Sequence, residues 1–188
     1  LTLSIEADGT YTYTQFKPVD HPKEGGDDVI WTRFGVKVVD ADGDISETFI
    51  GLDIFDDVPS EIDPVFSKVD EQKLENGPIE FTRSIEFDFG EDGGGMAMAN
   101  GQFMAKLSED SDGTDQLTSN GVDVDVDVVD GVYVGTAGET TVFTLSIEAD
   151  GTYTYTQFAP VDHPDAGTDV IWTRFGVKVV DADGDISE

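Results

Sequence analysis

Residues 122–135 read VDVDVDVVDGVYVG. Val122, Val124, Val126 and Val128 alternate with Asp123, Asp125 and Asp127. A period of two puts apolar side chains on one face of an extended strand and carboxylates on the other. Asp130-Gly131 follows, a pair that tolerates the backbone of a tight hairpin, and VYVGT returns. The spacing predicts an antiparallel hairpin with one face toward a core and one toward water. Outward from it the same signals recur. FTRSIEFDF at 81–89 places Ile85, Phe87 and Phe89 on one side, and Phe103–Leu107 is a shorter candidate. Phe143, Leu145 and Ile147 form another inward face before the Asp150-Gly151 turn and TYTYTQF. In Val170–Val180, Phe175, Val177 and Val179 share a side. No stretch carries a helical period. Seven or more short strands with regular turns predict an all-β fold, an immunoglobulin-like β-sandwich.

Two blocks occur twice. TLSIEADGTYTYTQF fills 2–16 and 144–158, and VIWTRFGVKVVDADGDISE fills 29–47 and 170–188. The offset changes by one residue in the loop at Lys23–Asp28. Repetition at this length means an array of whole domains rather than a solenoid of short units. TFIGLDIF ends at DDVPS, where Pro59 stops a strand and reads as a linker. The expected division is therefore 1–57, the C-terminal part of one repeat ending in an acidic linker, and 58–188, the next repeat without its last strand. The chain begins in mid-pattern and reads as a fragment. The unpaired edge left by the missing strand predicts donation of Thr48–Phe55 to a second molecule, giving a strand-swapped homo-oligomer.

The chain of 188 residues holds 41 Asp+Glu against 10 Lys+Arg, a net charge of −31. Such a balance argues against nucleic acid, whose phosphates need Lys and Arg, and against anionic membrane surfaces. No apolar run approaches the length of a membrane-spanning helix, so this segment is not expected to insert in a membrane. With no cysteine, a domain outside the cell needs another staple, and divalent cations would supply one while neutralising carboxylates.

The sharpest local feature is DADGD, at Asp40, Asp42 and Asp44 and again at Asp181, Asp183 and Asp185. Carboxylates at alternate positions around a glycine turn can converge on one cation, and calcium accepts six to eight oxygens in irregular geometry. Glu47 and Glu188 could each add an oxygen. The competing reading is an ordinary hairpin turn with solvated aspartates. Asp56 and Asp57, with Asp53 before them and Glu71 after, could share a cation at the joint between repeats. Glu91-Asp92 and the acidic loop Asp110–Asp115 are weaker candidates. His21 and His163 sit in the same PVDHP segment and read as loop packing residues. No nucleophile motif accompanies them, so no catalytic or cofactor-binding residues are assigned and the chain is not expected to be an enzyme. Trp31 and Trp172 are expected core anchors. An exposed tryptophan would instead favour a repeat that itself binds glycan or a surface.

Taken in order, LTSNG, GTAGETTVFTLSIEADGTYTYTQ, PVDH, FGVKVVDADGDISE and IGLDIFDDVPS resemble the long repeat of type I-secreted giant RTX adhesins of Gram-negative bacteria. The resemblance covers essentially the whole chain. It implies an extender repeat at the bacterial cell surface, contacting neighbouring repeats of the same chain, projecting distal adhesive modules for cell adhesion and biofilm formation, and stiffened by Ca2+ after export. The segments it marks as ligand-bearing are Asp40–Asp44, Asp181–Asp185 and Asp56-Asp57. The glycine-rich nonapeptide of RTX proteins is absent from these residues.

Overall fold

The computed structural model describes residues 1–22, 28–91, 93–164 and 170–188. The loop where the two copies differ in length, at 23–27, and Asp92 lie outside the described residues. Two hairpins come first. β1 (Thr2–Ile5) pairs with β2 (Tyr11–Thr14), and β3 (Val29–Val39) pairs with β4 (Ile45–Phe55) over eleven residues without a register shift. A 3₁₀ turn, Glu71–Asn76, is capped by the Asp70 carboxylate. It is the one helical element among the described residues, and none is long and apolar enough to cross a membrane.

The remaining strands are β5 (Ile79–Ser84), β6 (Met96–Lys106), β7 (Thr118–Ser119), β8 (Val122–Val129), β9 (Val132–Ala137), β10 (Thr140–Ile147), β11 (Thr152–Gln157), β12 (Trp172–Val180) and β13 (Ile186–Ser187). The protein is all-β. Six strands form one sheet in the order β5-β11-β10-β9-β8-β7, and β13-β12-β6 form another. Hydrophobic alternation explains how they meet. Val124 from β8 and Val142 and Phe143 from β10 are buried with Ala105 from β6, and Phe175 of β12 packs against them. The Phe175 ring meets Phe143 edge-on at 5.6 Å and Phe103 at 5.3 Å. Residues from both sheets thus fill one core.

The stretch at 122–135 follows its alternation only in the middle: Val124 is buried and Val126 half-buried, while Val122 and Val128, at the two ends of β8, are exposed beyond the reach of the core. Asp123, Asp125 and Asp127 are exposed while Val124 is buried. Asp130 and Gly131 both take positive φ, 52° and 81°, as a two-residue hairpin of this twist requires. Tyr133, 1% exposed, ties β9 to the facing sheet. Its hydroxyl donates to the Gly176 carbonyl at 2.6 Å and accepts from the Gly101 N–H at 3.0 Å. Regular strand structure in 81–89 ends at Ser84, yet Ile85 remains buried.

One expectation is overturned. Trp31 and Trp172 are not core anchors: they are 78% and 41% exposed. Phe175 packs against the core and Phe34 is half-buried, and strand alternation puts each tryptophan on the face opposite that phenylalanine.

Candidate functional site

The DADGD turn is built by its own first carboxylate. In the first copy Asp40 Oδ1 accepts the N–H groups of Gly43 at 3.0 Å and Asp44 at 2.8 Å. The Asp40 N–H bonds the Asp44 carbonyl at 3.1 Å. In the second copy Asp181 Oδ1 accepts from Gly184 at 3.0 Å and Asp185 at 2.7 Å, with the same closing bond from Asp181 N–H to the Asp185 carbonyl. Gly43 and Gly184 carry φ of 97° and 107°, where a side chain would be strained. Sequence alone fixes this loop, and it leaves the other carboxylates free to point elsewhere.

The two copies then part. Asp40, Asp42 and Asp44 bring one oxygen each within 4.8 Å of one another, all exposed to solvent. Glu47, proposed as an extra oxygen, pairs with Lys37 at 3.1 Å. Asp183 and Asp185 instead converge on Asp56, again with oxygens within 4.8 Å of one another. Asp185 is 1% exposed, and the Asp56 side chain is fully buried. The turn of the second unit therefore closes on the linker that follows the first.

A further pair sits beside Asp56. His21 Nδ1 lies 2.6 Å from Asp28 Oδ1 and 3.8 Å from Asp56 Oδ1, and all three side chains are buried. The Asp56 N–H donates to the Asp28 carbonyl at 3.2 Å, which holds the linker against the start of β3. The backbone N–H of His21 reaches Asp183 Oδ2 at 3.5 Å. His21 is buried as a packing residue would be, but its ring faces acids. Sequence does not mark His21 or Asp28 as a site residue, because the acids that complete the cluster, Asp56 and Asp183, come from distant segments. The sequence signal for His21 is the recurrence of PVDHP in both copies.

Asp57 turns away from this cluster. Its Oδ2 accepts the Glu91 N–H, and a Cβ on Gly90 would lie 2.5 Å from that oxygen, so only glycine fits the approach. Glu71 is engaged elsewhere, accepting from the Val161 N–H at 3.0 Å and lying 3.6 Å from His163 Nε2. In the loop at 110–115, Asp112 accepts from Thr114 and Asp115 accepts from the Leu107 N–H at 2.7 Å, which makes these carboxylates turn-holders. Asp53 is exposed on β4 opposite Trp31.

The electrostatics of the joint are unbalanced. Burial, followed by the neighbouring Asp185, pushes the Asp56 carboxyl up to about 6, against a smaller opposing pull from His21. Burial and then Asp183 raise Asp181 as well. Among the described residues no Lys or Arg forms an ion pair with Asp56, Asp181 or Asp183. Asp56 Oδ2, Asp181 Oδ2 and Asp183 Oδ1 are buried without a hydrogen-bond donor. Buried carboxylate oxygens of this kind are costly unless a cation or donor meets them. Several hard oxygens crowded around one point suit a hard divalent cation of flexible coordination, which describes calcium better than magnesium. The donor set fits such an ion.

The fold and this cluster define an all-β protein whose two repeat segments meet at a buried acidic joint. Residues 67–188 match the domain of unknown function DUF5801, and the chain belongs to that family. No curated protein and no solved structure matches it.

Proposed function

We propose that the chain is a structural extender, a tandem repeat of immunoglobulin-like β-sandwich type from a secreted cell-surface adhesin, whose joint is stiffened by calcium. The observation that carries this reading is the cluster at the linker. Asp56, beside His21 and Asp28, comes from the first repeat segment, and Asp183 and Asp185 come from the second. A cation held by both sides neutralises charge that neither can offset alone, and it links the orientation of one unit to the next. The resemblance to RTX adhesin repeats, the cysteine-free composition and the charge of −31 support the same reading. Inside a cell, where calcium is scarce, mutual repulsion keeps such a chain loose enough for export through a type I channel. Outside, millimolar calcium saturates sites with dissociation constants of about 10⁻⁴–10⁻³ M, the range of extracellular modules. Its work is mechanical, and it needs no reacting group.

Thermal unfolding in excess EDTA and then in millimolar calcium, at matched ionic strength, tests this. Binding to the folded state at ten times the dissociation constant contributes about 1.4 kcal/mol per site. We expect a rise in midpoint of at least about 3 °C for a chain of this size. Equal midpoints in the two buffers would reduce the cluster to strained turns and remove the basis of the extender reading.

A further inference from the structure

The outer face of the first long hairpin has no part in the acidic joint. Strand alternation and the β3–β4 register put Trp31 opposite Asp53, Arg33 opposite Gly51 and Gly35 opposite Phe49 on that face. Trp31 is 78% exposed and Phe49 58%. The Arg33 guanidinium lies 4.8 Å from the centre of the Phe49 ring, which draws it aside from Trp31. Trp31, Arg33, Phe49, Gly51 and Asp53 border one shallow depression.

Gly51 sharpens the point. It stands in mid-strand with no bulge beside it, outside the left-handed region, and a Cβ there would meet nothing within 4 Å. Neither backbone geometry nor packing within the chain calls for glycine. Gly35 on the same face is equally open, and glycines of this kind are among the places where a ligand can approach a strand closely. The second copy speaks independently. Trp172 has a different neighbour, β6, yet it remains 41% exposed, with Arg174 also exposed and Lys106 Nζ 5.9 Å from its ring. The same tryptophan thus faces outward in two different surroundings, with Arg33 held over Phe49 in the first and Lys106 beside the indole in the second.

We propose that this face is a binding surface for neutral polysaccharide, centred on Trp31 in the first repeat and Trp172 in the second. A large flat indole offers an apolar plane for the C–H face of a sugar ring. Asp53 and Arg33 supply an acceptor and a donor for its hydroxyls, and Gly51 leaves the floor bare beneath it. The chemistry selects among occupants. A protein partner would need a broad apolar centre depleted of charge, whereas Lys37, Glu47, Arg33 and Asp53 stud this face. An acidic polymer would meet a chain of net charge −31 and be repelled. Repetition of a shallow, weak site along one chain also suits a repeating polymer, because linked sites gain avidity.

This inference stands apart from the extender reading, and its test uses a different readout. The full chain would be run through native gels containing dextran, mannan, mixed-linkage β-glucan or galactomannan, with alginate as the acidic comparison, all in calcium. Trp31 and Trp172 are the only tryptophans, so their emission reports contact directly. We expect retardation in at least one neutral gel, with a shift in tryptophan emission and no retardation in alginate. Trp31→Ala or Trp172→Ala alone should weaken apparent affinity by at least about tenfold through lost avidity. The double variant should migrate as in a plain gel while keeping the parent's circular dichroism and calcium-dependent melting. No retardation in any neutral gel, retardation in alginate alone, or undiminished retardation of the double variant would overturn the proposal. A calcium-insensitive chain that still bound dextran would defeat the extender reading and leave this one intact.

Discussion

Residues 29–47 and 170–188 are the same nineteen amino acids, and the molecule treats them differently. Val38 is 60% exposed, while its counterpart Val179 is completely buried. Asp44 lies in solvent and Asp185 is 1% exposed. Hydrogen bonding, first with the Asp42 side chain and then with the backbone of its own turn, holds the Asp40 carboxyl below the usual range. Burial raises the identical Asp181 above it. In one copy β3 has β4 alone as its neighbour, and in the other β12 lies between β6 and β13 with the linker closing over its turn. Local sequence makes the loop. Everything that distinguishes a solvated turn from a candidate cation site comes from what is packed against it.

Matched substitutions in the two copies test that division. The largest difference should come from Asp183→Asn against Asp42→Asn. The first removes a buried oxygen facing Asp56, and the calcium-induced rise in midpoint should vanish. The second alters an exposed side chain and should leave most of the rise in place. An equal loss from both would place the working site in the turn itself rather than at the joint. The core offers a contrast of comparable size. Val179→Ala should lower stability by about 2 kcal/mol through lost burial and the cavity left behind. Val38→Ala should stay within about 0.5 kcal/mol. Denaturant titration of both variants in calcium measures this, and similar losses would mean that the first copy has a core partner of its own.

Acidity provides the most specific contrast. A carboxyl whose folded pKa is raised keeps its proton longer in the native state than in the unfolded chain. Below the ordinary value of 3.8 this has no effect on stability, and the penalty grows as pH rises toward about 6. Metal-stripped protein should therefore lose stability between those limits on account of Asp56, with Asp181 adding in the same direction. Asp56→Asn should flatten that part of the profile and abolish the calcium response. In calcium the trend should invert, because the ion prefers the deprotonated form. An unchanged slope in Asp56→Asn would show that Asp56 is not the group being titrated.

Much of the strand content was legible because alternation and Asp-Gly turns are local signals, and the hairpin at 122–135 follows them closely. The DADGD loops were legible for the same reason. Which faces would be covered was not. From sequence Trp31 and Trp172 read as inward, because a large aromatic in a strand usually anchors a core. Their runs also contain Phe34 and Phe175, and only one parity can face inward. His21 reads from sequence as a loop packing residue, and its acidic surroundings do not show there for a different reason. Its contact with Asp183 spans 162 positions of sequence, and no spacing rule reaches that far. Asp57 shows the limit from the other side, since adjacency to Asp56 suggested a shared task while its backbone direction sends it to the Glu91 N–H.

The acidic joint also has a consequence in time. With an ion in place, oxygens from residues on both sides of the linker share one centre, so the two segments cannot separate by small, independent steps. Tension along the chain would be resisted until ligands on one side let go together. On the proposed reading, the lifetime of the closed joint would be set by how fast the ion leaves, and a change of bathing calcium would alter the fraction of time spent closed without changing any residue.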